Sequence, residues 1–200
     1  MGRPAKTEPS RQNLIVETAA RVFVRDGYGA AAVDTIAREA GVSKATLYRH
    51  FDDKEALFAA VVQMRAKEAF ERLAGAKLRG APGTVLRRFA RALLRELSAP
   101  ATIGMFRLII SESGRSPALG KRFFEDVTTP TLQLLTEYLE QKARSGELRV
   151  RSARLSAFQF LGLLKEAAFW PLMLGQPSGM PAEKIIAAAV RSFLRAHAPG

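Results

Sequence analysis

The chain contains no cysteine, only two histidines and one tryptophan among its 200 residues. Without thiols there can be no disulfide, iron–sulfur cluster or thiolate zinc site. His50 and His197 stand too far apart in sequence to make a metal-ligand pattern, so neither a metal nor another cofactor is expected. A glycine-rich phosphate loop and a recognisable nucleophile–base set are also missing, which argues against an enzyme. The most apolar stretch, residues 155–174, is interrupted by Gln159, Lys165, Glu166 and Pro171, so no membrane insertion is expected. No alternation typical of strands, internal repeat or low-complexity segment is evident. The opening residues lack the apolar core of a signal peptide, which leaves a cytoplasmic location as the expectation. Residues 1–9 read as a flexible basic arm in which Arg3 and Lys6 are candidate minor-groove contacts.

What is present is a hydrophobic fraction of 48%, enough for a real core, and a formal charge of +12. That charge is unevenly placed: residues 1–75 hold 12 basic and 10 acidic side chains, whereas residues 76–200 hold 19 and 9. Arg87, Arg88, Arg91 and Arg95, spaced by three and four, form a basic stripe on one helix face. Such a stripe can attract DNA nonspecifically, draw an anionic ligand, or simply be solvated.

The most informative stretch is residues 33–58. Val33, Ile36, Ala37 and Ala40 recur at helical spacing and predict a short amphipathic helix. Gly41 ends it, because glycine takes a left-handed backbone without steric cost, and Val42 can turn inward at the corner. Ser43 is an N-cap candidate for a second helix from Lys44 to about His50. On that helix Leu47 and Phe51 share the core face, leaving Ala45 and Arg49 opposite, flanked by Thr46 and Tyr48. Two short helices joined by a glycine turn fit a helix-turn-helix. Arginine can bond both acceptors of a guanine edge, so Arg49 is the first candidate for reading bases. Asp52 and Glu55 have the spacing of a capping box for a third helix, with Lys54 in its first turn beside unpaired amides that attract phosphate. By spacing alone, an ordinary helical hairpin with solvated charges stays an equal alternative.

The run from Arg11 to Phe58 resembles the DNA-binding domain of the tetracycline-repressor (TetR) family. The resemblance rests on Ala19-Ala20-Arg21-Val22-Phe23, Gly27-Tyr28, Val33-Asp34-Thr35-Ile36-Ala37, Ala40-Gly41-Val42-Ser43 and Leu47-Tyr48-Arg49-His50-Phe51 with Lys54. It implies a first helix over about residues 10–26, a support helix over 33–40 and a recognition helix over 44–50. It further implies that Tyr48 and Lys54 contact phosphate, that Lys44, Ala45, Thr46 and Arg49 face the groove, and that His50 either touches the DNA backbone or packs at the helix end. One departure stands out. The family commonly places serine or threonine just before the position of Val33, where this chain has Ala30-Ala31-Ala32. Thr35 is the candidate to replace that phosphate contact.

Beyond Phe58 the apolar pattern continues as a connecting helix over 59–75, and breakers divide residues 76–200 into about five more helices. The fold class expected is therefore all-α: a three-helix reader over 10–58 and a larger helical domain, about nine helices in total. The helix over about 153–174 is apolar on nearly every face, and the last, over about 181–197, opens with Pro181 in its first turn and carries a broad apolar stripe. Together they form the expected homodimer interface, an arrangement the family resemblance also implies.

Phe89, Met105, Phe106, Ile109, Phe124, Val127, Phe158, Phe169 and Trp170 each read as core residues taken singly. As a set within a TetR-like chain they are candidates to line a ligand pocket, with Tyr138, Gln159 and Glu166 as polar anchors. Phe106-Arg107-Leu108, Glu112 and Pro117 also resemble the C-terminal domain of TetR regulators associated with efflux genes. The leading expectation is a ligand-responsive repressor that binds a double-stranded operator as a homodimer and is released by a small apolar or amphipathic effector. The alternative is a helical module for anionic lipid or acyl ligands that carries a vestigial reader.

Overall fold

The computed structural model describes residues 10–75 and 78–199; the expected arm over residues 1–9 lies outside them. Every regular element among the described residues is helical. The first four are α1 (Arg11–Asp26), α2 (Val33–Glu39), α3 (Lys44–His50) and α4 (Lys54–Ala74). They are followed by α5 (Pro82–Leu97), α6 (Pro100–Ser113), α7 (Pro117–Phe123), α8 (Thr129–Arg144), α9 (Ala153–Met173) and α10 (Ala182–Ala196). A π-helical segment, Phe124–Thr128, joins α7 to α8 without a break in helical backbone, so the ten segments make nine rods among the described residues.

Local chemistry explains most boundaries. Ser10 caps α1, its Oγ accepting from the Asn13 amide at 3.2 Å. Proline occupies the first turn of α5, α6 and α7, where its missing N–H has no helical partner to lose. Gly41 adopts φ +66° in the turn between α2 and α3, a conformation that a side chain would strain.

Two boundaries correct the sequence reading. Asp53, not Asp52, caps α4, its carboxylate accepting from the Ala56 amide at 2.7 Å. The chain stays extended through Phe51 and enters the helix one residue later than a box at Asp52 requires. Glu55, freed from that box, accepts instead from the Ser116 hydroxyl at 2.8 Å and so ties the reader to the loop before α7. Pro181 lies at the cap of α10, just outside its first turn.

The interior has two cores. One, around Ile15, Phe23, Ile36, Leu47 and Phe58, holds α1 to α4 and also takes in Met105, Leu108 and Ile109 from α6. The other packs α5, α8, α9 and α10 around Phe89, Leu135, Phe160 and Val190. Helix α6 therefore belongs to both halves, and its approach to α1 is close. A Cβ built on Gly104 would lie 2.7 Å from a Val24 methyl, which a stiff β-branched side chain cannot easily yield.

Helix α9 buries Ala157, Phe160, Leu164 and Phe169 but leaves Leu155, Phe158, Leu163 and Trp170 between 45% and 57% exposed. Its apolar character on all sides is thus only half used within one chain. No helix among the described residues is long and apolar enough to cross a membrane.

Candidate nucleic-acid interface and internal cavity

Helix α3 is held by its inner face and capped at its start. Leu47 is fully buried and Phe51 nearly so. The Ser43 Oγ accepts from the Thr46 amide at 3.0 Å and lies 2.9 Å from the Thr46 hydroxyl. Thr46, half-buried, therefore shares its hydroxyl with the cap and offers chiefly its methyl outward. Ala45, Tyr48, Arg49 and His50 are exposed. Arg49 makes no hydrogen bond or ion pair with any described residue, so its full fork is available for an external acceptor.

The other expected DNA contacts sit differently. Lys44 pairs with Asp34 of α2 at 2.8 Å, which raises the pKa of its ammonium and cross-links the two short helices. Both side chains are largely in water, so the pair orients more than it stabilises. Thr35 is half-buried in the first turn of α2, whose cap residue Ala32 makes no side-chain bond. His50 lies exposed with its ring 6.4 Å from that of Phe51. Lys54 bonds the Gly29 carbonyl at 3.1 Å and lies 4.7 Å over the Tyr28 ring, where partial burial lowers its pKa.

A cavity of about 320 Å3 lies between α4, α5, α6 and the π segment. Of the residues expected to line a pocket, Met105, Phe106, Ile109 and Val127 do so. Phe169 packs edge-on against Phe106 just behind the wall, at 4.8 Å between centroids. Phe89 is fully buried in the second core, and buried Tyr138 donates to the Gly80 carbonyl at 3.1 Å, so neither reaches the cavity. Phe124, Phe158, Gln159, Glu166 and Trp170 are on the surface, because helical rotation turns them away from the interior.

The polar side of the cavity comes from residues that the sequence pattern did not single out as ligand contacts. Arg65 donates to Glu68 at 3.0 Å and to Glu17 of α1 at 3.4 Å. Arg72 grips Glu96 with two bonds of 2.6 and 2.8 Å, and Thr102 donates to the same carboxylate at 3.3 Å. Only the arginine stripe on α5 hinted at this chemistry, through its last member, Arg95.

The Arg72 fork holds Glu96 below its ordinary pKa of 4.5. A carboxylate depressed in the folded state contributes stability above its unfolded pKa and loses it as pH falls through the folded value. Glu96→Gln is therefore expected to lower the melting temperature at neutral pH and to flatten its fall on acidification, as thermal melts in a pH series would record.

Residues 15–61 match the model of bacterial regulatory proteins of the tetR family. Residues 84–199 match the C-terminal domain of AefR-like transcriptional repressors. The chain belongs to the TetR family. Its members are transcriptional regulators that bind DNA and dimerise, not enzymes.

This TetR-family regulator is 27% identical over 190 residues to YvkB of Bacillus subtilis, an HTH-type regulator, spanning 90% of this chain and 94% of that protein. Shorter matches to two other curated regulators span only 27% and 24% of those proteins. A TetR-family regulator from Mesorhizobium loti superposes with a TM-score of 0.85 at 25% identity, over 94% of this chain and 96% of that one. The flavonoid-responsive regulator FrrA superposes with a TM-score of 0.79 at 31% identity, over 94% and 97%.

Proposed function

We propose that this TetR-family regulator is a repressor that binds a palindromic operator as a homodimer in the cytoplasm and is released by a small, largely apolar ligand. The observation that carries this reading is that α4 both walls the cavity and begins inside the reader, directly after α3. A molecule that fills the cavity acts on the helix that positions Arg49. It need only favour one arrangement of the two readers, and a coupling of roughly 1–3 kcal/mol is typical of such linkage. FrrA, which responds to flavonoids, supports control by a small molecule.

In this reading Arg49 reads base edges, Ala45 and Thr46 contact the groove wall, and Tyr48, His50 and Thr35 meet the backbone. Lys44 and Lys54 add positive charge beside the phosphates, Lys54 after exchanging its bond to Gly29. Selection of bound DNA from a random pool, repeated with lipophilic compounds, tests the whole reading. Enrichment of a palindrome with half-site centres about 34 Å apart or somewhat more supports it. Binding without sequence enrichment would leave only the vestigial-reader alternative.

Dimerisation is assigned to α9 and α10. The row Leu155, Phe158, Leu163 and Trp170 leaves an apolar face of α9 exposed in one chain, and the exposed Ala187 and Ala188 on α10 permit close approach of a second copy. Trp170→Ala is expected to weaken the dimer by about 2 kcal/mol or more, roughly 30-fold, because large aromatics carry much of an interface's energy. Analytical ultracentrifugation measures it, and an unchanged dimer would move the interface elsewhere.

A further inference from the structure

The arginine stripe on α5 is mostly committed to internal contacts. Arg87 donates to the Gly83 carbonyl, Arg88 to the Arg79 carbonyl, and Arg91 grips Glu183 of α10 with two bonds of 2.7 and 2.8 Å. Arg95, one turn further on, is exposed, lines both this cavity and a neighbouring one beside Glu183, and has no side-chain partner among the described residues.

The two carboxylates of the cavity are in the opposite condition. Glu68 is engaged by Arg65, and Glu96 accepts two bonds from Arg72 and one from Thr102. A cationic ligand would have to displace an arginine from one of them. A neutral ligand would supply no acceptor for Arg95, which at an exposed position keeps its water and so adds nothing to the binding. An anion displaces nothing and completes Arg95.

We infer that the ligand of this cavity is an amphipathic organic anion, its carboxylate or phenolate paired with Arg95 and its apolar body against Met105, Phe106 and Ile109. This rests on the ligand-responsive reading above and adds the sign of the ligand's charge. The cavity volume, about 320 Å3, is at the small end of ligand sites, which run from roughly 300 to 1,000 Å3, so the body is of two-ring size.

The test is calorimetric titration of the full chain with three probes of matched shape: 2-naphthoate, 2-naphthylmethanol and 2-naphthylmethylammonium. The acid should bind at least about 10-fold more tightly than the other two. Arg95→Gln should abolish that preference while leaving affinity for the alcohol within about two-fold, and Arg95→Lys should retain part of it. Arg149→Gln, a distant exposed arginine, should change nothing, and melts of each variant verify folding. Equal binding of alcohol or ammonium, a preference that survives Arg95→Gln, or binding of no probe overturns the inference. The same probes are then added to the operator complex. Preferential binding of naphthoate without release of DNA overturns the ligand-responsive reading alone, whereas release without charge preference overturns this inference alone.

Discussion

Arg49→Ala is expected to lower affinity for the selected operator by about 1–3 kcal/mol, roughly 5- to 150-fold, while binding to random DNA changes far less. The asymmetry follows from the geometry. Arg49 is exposed opposite buried Leu47, with its fork engaged by none of the described residues, so its loss removes an external contact and leaves the helix packed as before. Phosphate contacts, by contrast, carry affinity without sequence information. Fluorescence anisotropy with operator and scrambled duplexes at one salt concentration measures both terms. An equal loss on the two duplexes would assign Arg49 to phosphate. An unchanged operator affinity would move base reading elsewhere on α3.

Phe58→Ala is expected to cost about 3–5 kcal/mol of stability, among the largest effects a single truncation produces. Phe58 is fully buried near the start of α4, edge-on to Phe23 at 5.3 Å and tilted against Tyr28 at 5.0 Å. It joins α4 to α1, and through Tyr28 it supports the perch of Lys54. Denaturant unfolding of wild type, Phe58→Ala and Phe58→Leu separates cavity formation from mere loss of aromaticity, since the leucine keeps much of the volume and should be far milder. A small effect of alanine would mean that the aromatic trio does not hold the reader to α4.

The reader was legible because its signals are local. The stop at Gly41, the cap at Ser43 and the shared face of Leu47 and Phe51 all act within a few residues, where helical geometry fixes who meets whom. The missing hydroxyl before α2 was equally readable, and Ala32 indeed provides no side-chain cap. The cap of α4 was not, because Asp52 and Asp53 are adjacent and only the extended path of Phe51 selects between them.

The pocket was legible only as a composition. Its apolar candidates all sit on helices, but helix-to-helix packing decided that Met105 and Ile109 face the cavity, Phe89 the core and Phe124 the solvent. The sequence by itself determined the helical class, the reader with its Gly41 stop and Ser43 cap, and the basic stripe on α5. The tertiary structure alone decided which arginine of that stripe has no side-chain partner among the described residues, since Arg72 meets Glu96 across 24 residues and Arg91 meets Glu183 across 92. Ion pairs over such separations are set by how helices cross, and no periodicity along the chain encodes that.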